Sequence, residues 1–182
     1  MVNNRQINIS MNVHSIKDLS NQLIIGMLQR EFSKISDKQI LVNYHPDYAD
    51  STGNFFQILK DGRYLQGNYL VMEQDGVYVG SAGWNKYEDV ALLLTRAFVP
   101  KEFRGRFNMA KYLLPIMFEE TKDFDRLWIT CNDYNVTIYQ ALTRLSQGKS
   151  STPWPDVYKN FTPIGKRIVY NTDQYVAEYK RQ

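Results

Sequence analysis

The sequence is poor in the residues that staple chains, bind metals or cross membranes. It has one cysteine, Cys131, so an intrachain disulfide is excluded and a reducing compartment is the simplest home. Its two histidines, His14 and His45, lie far apart and no CxxC spacing occurs, so neither a metal site nor a metal cofactor is expected. No apolar run approaches the roughly 18 residues of a membrane helix. The longest candidates, Leu23 to Ile25 and Ala91 to Leu94, are core-sized. The opening residues Met1 to Arg5 carry no apolar signal segment. These absences predict a cytoplasmic protein with no membrane partner. Internal repeats and low-complexity tracts are also missing, which excludes solenoids and collagen-like arrays.

What is present fits one globular domain spanning residues 1–182, long enough to bury a real core. Hydrophobic residues make up 43% and charged residues 23%, a composition that excludes wholesale disorder. The net charge of +3 permits a nucleic-acid partner without requiring one. Aromatic residues reach 14%, with 13 tyrosines. They are spread along the chain instead of interleaving with a basic run, which favours packing over base stacking.

Residues 7–14 alternate apolar and polar, a strand signal, and an amphipathic helix is predicted over 16–33 on Ile16, Leu19, Leu23, Met27 and Phe32. The stretch 34–65 is rich in turn residues and gives no clear element. From Asn68 the pattern sharpens. Tyr69 to Glu73 and Val77 to Trp84 flank Asp75-Gly76, a hairpin signal because glycine tolerates φ > 0. Val90 to Val99 is almost continuously apolar, as in a strand covered on both faces. A helix over about 108–121 follows on Met109, Leu113, Ile116, Met117 and Glu120, with a bend expected at Pro115. Leu127 to Cys131 is a buried strand, and Val136, Tyr139, Leu142 and Leu145 carry another helix capped by Asn132 or Asp133. Arg167 to Tyr170 and Tyr175 to Tyr179 form a closing hairpin around an Asn171-Thr172-Asp173 turn.

Chemistry is most concentrated between the strand ending at Val99 and the helix after it. A basic loop with a glycine, opening a helix, suits an anion, because the first helical N–H groups lack intrahelical partners and the helix dipole adds positive charge. Arg104 and Arg106 would reinforce it, since guanidinium forks match phosphate oxygens. A solvated charged loop is the plainer reading of the same residues.

The order hairpin, buried strand, basic loop, helix, strand, helix, hairpin resembles the GNAT superfamily of acyl-CoA N-acyltransferases. The resemblance covers about 68–145, with a C-terminal hairpin at about 165–180 matching by topology. It implies an α/β (α+β) fold with a central mixed, mostly antiparallel sheet flanked by helices. The family's pyrophosphate loop has the form aromatic-Arg-Gly-x-Gly-x-Gly/Ala, and Phe103, Arg104, Gly105 and Arg106 match its start. Phe107 and Met109 depart from it, standing where small residues let backbone amides approach the diphosphate; Asn108 lies between them and Ala110 follows. The Phe107 ring either points away and leaves its N–H available or fills the site. Asn132 and Tyr139 fit a second family pattern, an Asn followed seven residues later by a Tyr, although Asn135 replaces its usual Ala.

The resemblance implies direct acyl transfer from acetyl-CoA, as co-substrate, to an amine. The backbone of Ala97, Phe98 and Val99 would bind the pantetheine, and residues from Arg104 to Ala110, with Asn132, would complete the cofactor site. Tyr139 would protonate the leaving thiolate; a phenol can donate to a group of similar basicity. A base must deprotonate the amine, and Glu88 is the first candidate, with Asp89, Glu73 and His45 as others. Tyr44, Tyr48, Phe55, Phe56, Arg63, Tyr64, Trp154 and Lys159 would shape the acceptor site. Two other classes remain open: a GNAT-like binding or structural protein without catalysis, and a nucleic-acid-binding or base-modifying protein.

Overall fold

A computed structural model describes residues 11–15, 17, 66–104, 109–131, 139–140, 143–144, 147 and 159–182. The helix expected over 16–33 and the stretch 34–65 lie outside the described residues, apart from Lys17. Among the described residues seven strands form one sheet: β1 (Asn12–Ser15), β2 (Gly67–Gln74), β3 (Val77–Tyr87), β4 (Val90–Phe98), β5 (Arg126–Cys131), β6 (Thr162–Val169) and β7 (Thr172–Lys180). Their order is β1-β2-β3-β4-β5-β7-β6. Every neighbouring pair is antiparallel except β4 and β5, which are parallel. A parallel pair needs a crossover, and α1 (Met109–Glu120) supplies it.

The β2–β3 turn is the one expected. Asp75 and Gly76 have φ of 52° and 77°, the left-handed pair that matches the twist of a two-residue hairpin. In α1 the buried residues are Ala110, Leu113, Leu114 and Met117. Their spacing places them on one face, which packs with Leu70, Met72, Ala82, Trp84, Leu93, Leu94, Leu127 and Ile129 of the sheet. Each fully buried Leu or Met contributes roughly 1.5–3 kcal/mol. Pro115 lies on the exposed side of the helix, which continues through it to Glu120.

The end of α1 is tied down by polar contacts. Ser15 donates to Asn68 Oδ1 at 2.8 Å, Asn68 Nδ2 donates to Glu120 at 2.6 Å, and Trp84 Nε1 donates to the other Glu120 oxygen. Arg181 donates to the Phe118 carbonyl at 2.7 Å, one of those a helix end leaves unpaired, and to the Phe124 carbonyl in the loop beyond at 3.0 Å.

The opposite face of the sheet has its own cluster of Val90, Leu92, Trp128, Val169 and Val176. Val169 belongs to the tip of the β6–β7 hairpin, which curls across this face. Tyr170 accepts a hydrogen bond from Asn85 and meets Tyr87 edge-on, with ring centroids 4.9 Å apart.

The closing hairpin differs in detail from the sequence reading. Its turn is Tyr170-Asn171, with φ of 50° and 60°, and β7 already begins at Thr172. Asn adopts a left-handed conformation readily but Tyr does not, so the sequence points one or two residues too far on. The Tyr170 contacts to Asn85 and Tyr87 hold the strained residue in place.

Candidate functional site

The feature that shapes the site is a parting of strands. β4 and β5 pair only through Ala91↔Leu127, Leu92↔Trp128 and Leu93↔Ile129. Beyond these, β4 runs on to Phe98 and β5 to Cys131 without pairing each other. The cause lies in β4. Its register with β3 passes from Trp84↔Leu93 to Gly83↔Thr95 to Ser81↔Phe98, so β4 carries one extra residue at Leu94 and another before Phe98. Bulges bend the strand that contains them. Leu94 has φ 56°, a conformation that costs a branched side chain of order 1–2 kcal/mol.

The sequence-predicted residues distribute unevenly around this opening. Ala97 packs against the α1-side core, and Phe98 stacks on Tyr78 with centroids 6.4 Å apart. Val99 leads into a 3-10 turn, Lys101–Phe103, closed by the Phe103 N–H donating to the Pro100 carbonyl at 2.9 Å. Exposed Arg104 folds back, and its Nε donates to the Val99 carbonyl at 3.0 Å. That carbonyl is one of the backbone groups assigned above to a pantetheine. Gly105, Arg106, Phe107, Asn108 and Asn132 lie outside the described residues. Met109 opens α1 with its side chain packed against the core, and Ala110 is buried there. The first turn of α1 contains no acidic residue, so no side chain of that turn offsets the positive end of the helix dipole.

Glu88 stands elsewhere. It is exposed in the β3–β4 turn with φ 52°, before the first residue of β4, whereas the strands part near its other end. Thr95 stands seven residues beyond Glu88 along the chain, at most roughly 23 Å away in extended backbone. Its neighbour Asp89 accepts from Arg126 at 3.0 Å at the same closed end. Glu73 lies at the open end, where the β2–β3 turn is, but it is fully engaged. The Gly76 N–H donates to one oxygen, while Asn12 and the His14 ring hold the other, both at 3.1 Å. These contacts, the Gly76 amide first, keep its carboxyl below the usual range despite partial burial. A carboxylate so stabilised is a weak base.

Glu178 is a second depressed carboxyl. Burial pushes it up, but hydrogen bonds from Trp128 and Arg126 and the charges of Arg126 and Lys180 outweigh that. An unfolded carboxyl takes up its proton near pH 4.5, whereas these two hold out to lower pH in the fold. Their stabilisation is fully present above that value and drains away as the pH falls through the folded-state values. Urea midpoints should therefore drop between about pH 5 and 3, and the drop should be shallower in Glu73→Gln. Equal slopes for variant and wild type would show that Glu73 does not contribute.

Tyr139 is described on the helix after β5. Its hydroxyl accepts from the Gly165 N–H of β6 at 3.1 Å, and its ring lies 4.8 Å from that of Tyr175 in β7. The structure thus places it against the β6–β7 side of the sheet. Gly165, with φ 83° at a bulge in β6, presents the amide.

Several polar groups near the opening escaped the sequence reading. Tyr69 and Tyr78 hydroxyls both reach buried Ser81 Oγ, at 2.8 and 2.6 Å. Thr95, just past the Leu94 bulge, has a buried hydroxyl. A Leu-Leu-Leu-Thr run carries no bulge signal, so nothing in the sequence marks it. Among the described residues, no group of three or more His, Cys, Asp or Glu could hold a metal. No described helix is long and apolar enough to cross a membrane.

Neither a protein-family model nor a curated protein matches the chain. Solved structures do. A GNAT-family acetyltransferase from Staphylococcus aureus Mu50 aligns with a TM-score of 0.58 at 13% identity, over 95% of this chain and 100% of that one. The PaiA N-acetyltransferase of Thermoplasma acidophilum, solved in complex with coenzyme A, gives 0.51 at 16% identity over 95% and 100%. An acyl-CoA N-acyltransferase from Pseudomonas aeruginosa gives 0.54 at 10% identity over 94% and 99%. Sequence this distant carries architecture alone, and the architecture agrees in all three: this chain has the GNAT fold.

Proposed function

We propose that the protein is an acyl-CoA-dependent N-acyltransferase, moving an acetyl group to an amine. The observation that carries this reading is the parting of β4 and β5 beyond Leu93 and Ile129, forced by the Leu94 bulge. It supplies a slot between two strands, with the dipole-positive end of α1 following β4 in the chain. An extended, amide-bearing arm fits such a slot, because unpaired strand edges offer backbone donors and acceptors. A diphosphate suits the start of α1, whose first turn carries no acidic side chain.

In the proposed reaction the amine nitrogen attacks the thioester carbon, a C–N bond forms and the C–S bond breaks. The ammonium loses one proton before attack, and the departing thiolate gains one. Arg104, Gly105, Arg106, Phe107, Asn108, Met109 and Ala110 would hold the diphosphate, with Asn132 nearby, and Ala97, Phe98 and Val99 the pantetheine. Arg104 must then exchange its Val99 contact for phosphate. The core-directed Met109 side chain supports this assignment, since it leaves the helix start to backbone amides. Tyr139 remains the proposed proton donor, its hydroxyl already oriented by the Gly165 amide. Glu88 is too remote from the opening to serve as base without a large rearrangement.

Calorimetric titration with CoA and with acetyl-CoA tests the reading. Dissociation constants of roughly 1–100 μM are expected. Absence of heat at about 1 mM ligand would overturn it and favour a GNAT-fold protein that works by binding a macromolecule.

A further inference from the structure

One buried hydroxyl of the described structure is unexplained by packing. Thr95 Oγ1 is buried and has no hydrogen-bond partner. An unpaired buried hydroxyl is costly, and a valine of the same shape would avoid the cost. Its place in the fold suggests what the hydroxyl is for. Thr95 follows the Leu94 bulge and is the second residue after Leu93, where pairing with β5 stops. Its partner across β3 is Gly83, which has no side chain to meet it. Cross-strand partners point to one face, and on β3 that face also carries Ser81, opposite Phe98. The Ser81 hydroxyl is occupied by Tyr69 and Tyr78, so this cluster does not satisfy Thr95. α1 packs on the other face, against Leu93 and Leu94.

We infer that the Thr95 hydroxyl is a substrate-binding group that donates a hydrogen bond to the carbonyl oxygen of an acyl thioester held between β4 and β5. The inference rests on the acyltransferase reading above and assigns a residue within it. α1 begins on one face of the sheet, and Thr95 lies on the other, beside the gap. A ligand with its diphosphate at the start of α1 and its arm between the strands presents its acyl end on the Thr95 side. There the carbonyl oxygen is the strong acceptor of the thioester group, since the sulfur accepts only weakly. The hydroxyl keeps its proton throughout; it donates a hydrogen bond and takes no part in the proton balance.

Three probes separate this role from others: CoA, acetyl-CoA and S-ethyl-CoA, which keeps the two added carbons but lacks the carbonyl oxygen. Wild type should prefer acetyl-CoA to S-ethyl-CoA. Thr95→Val should reduce that preference by roughly five- to tenfold while binding CoA as wild type does. Thr95→Ser, which retains the hydroxyl, should keep it. Without ligand, Thr95→Val should melt about 1–3 °C higher than wild type, because an unsatisfied group has been removed. A lower melting temperature would mean that the hydroxyl already has a partner in the protein, and the inference would fail. It would fail equally if Thr95→Val left the acetyl-CoA preference intact. Loss of binding to all three ligands in wild type would overturn the acyltransferase reading itself, a result distinguishable from either.

Discussion

Replacing Gly67 by alanine is expected to leave little or no folded protein. A Cβ at that position would stand 2.0 Å from the Trp84 carbonyl oxygen, 2.6 Å from Asn85 Cα and 2.9 Å from Asn85 Cβ. Two of these are backbone atoms of β3, which cannot move without breaking the β2–β3 ladder at its Gly67↔Asn85 pair. The loss should exceed about 4 kcal/mol, a large part of the stability of an ordinary domain. Gly76→Ala is the control. It has nothing within 4 Å of its would-be Cβ, but a φ of 77°. It should cost only about 1–2 kcal/mol, from backbone strain. Urea denaturation of both variants checks the contrast. A Gly67→Ala protein as stable as Gly76→Ala would show that β2 and β3 do not approach so closely.

The second large effect is expected at Glu178. This carboxylate is 8% exposed in the middle of the sheet. It accepts from Trp128 Nε1 at 3.0 Å and from Arg126 at 2.8–2.9 Å, with Lys180 3.4 Å away. Glu178→Ala removes the acceptor of Trp128 Nε1 and of Arg126 Nε and Nη2, leaving Arg126 its Asp89 contact. Breaking a fully buried ion pair costs about 3–5 kcal/mol, but Arg126 is 37% exposed and can regain water, so about 3 kcal/mol is expected here. Glu178→Gln keeps an acceptor for Trp128 and should lose about half as much. Equal losses for the two variants would mean that the charge contributes nothing beyond the hydrogen bond.

Much of the architecture could be read from local rules. Asp75-Gly76 marked its hairpin because the turn needs left-handed residues and had suitable ones. The 110, 113, 114 and 117 face of α1 was legible because its spacing matches the helical period. Where the chain uses an ill-suited residue, the rules fail. Leu94 and Tyr170 both adopt positive φ, and both are held there by tertiary contacts that no local pattern announces. Thr95 was invisible for the same reason. Reading Glu88 as a candidate base rested on nearness in sequence to β4, but the strand runs away from that turn toward the opening. Met109 departed from the family loop in sequence, yet its side chain turns into the core, away from the helix start.

The position of β7 has a consequence for how the chain is made. β7 lies between β5 and β6, so β6 is hydrogen-bonded into the sheet only through β7. Arg126 pairs with Lys180, and Arg181 reaches back to the end of α1. During synthesis β6 therefore emerges with no neighbour to join, and β5 shows an open edge. Both must wait until residues through Arg181 have left the ribosome. Pairings this distant in sequence form slowly, and an open edge exposed meanwhile invites association with other chains. That exposure ends when β7 slides in between β5 and β6.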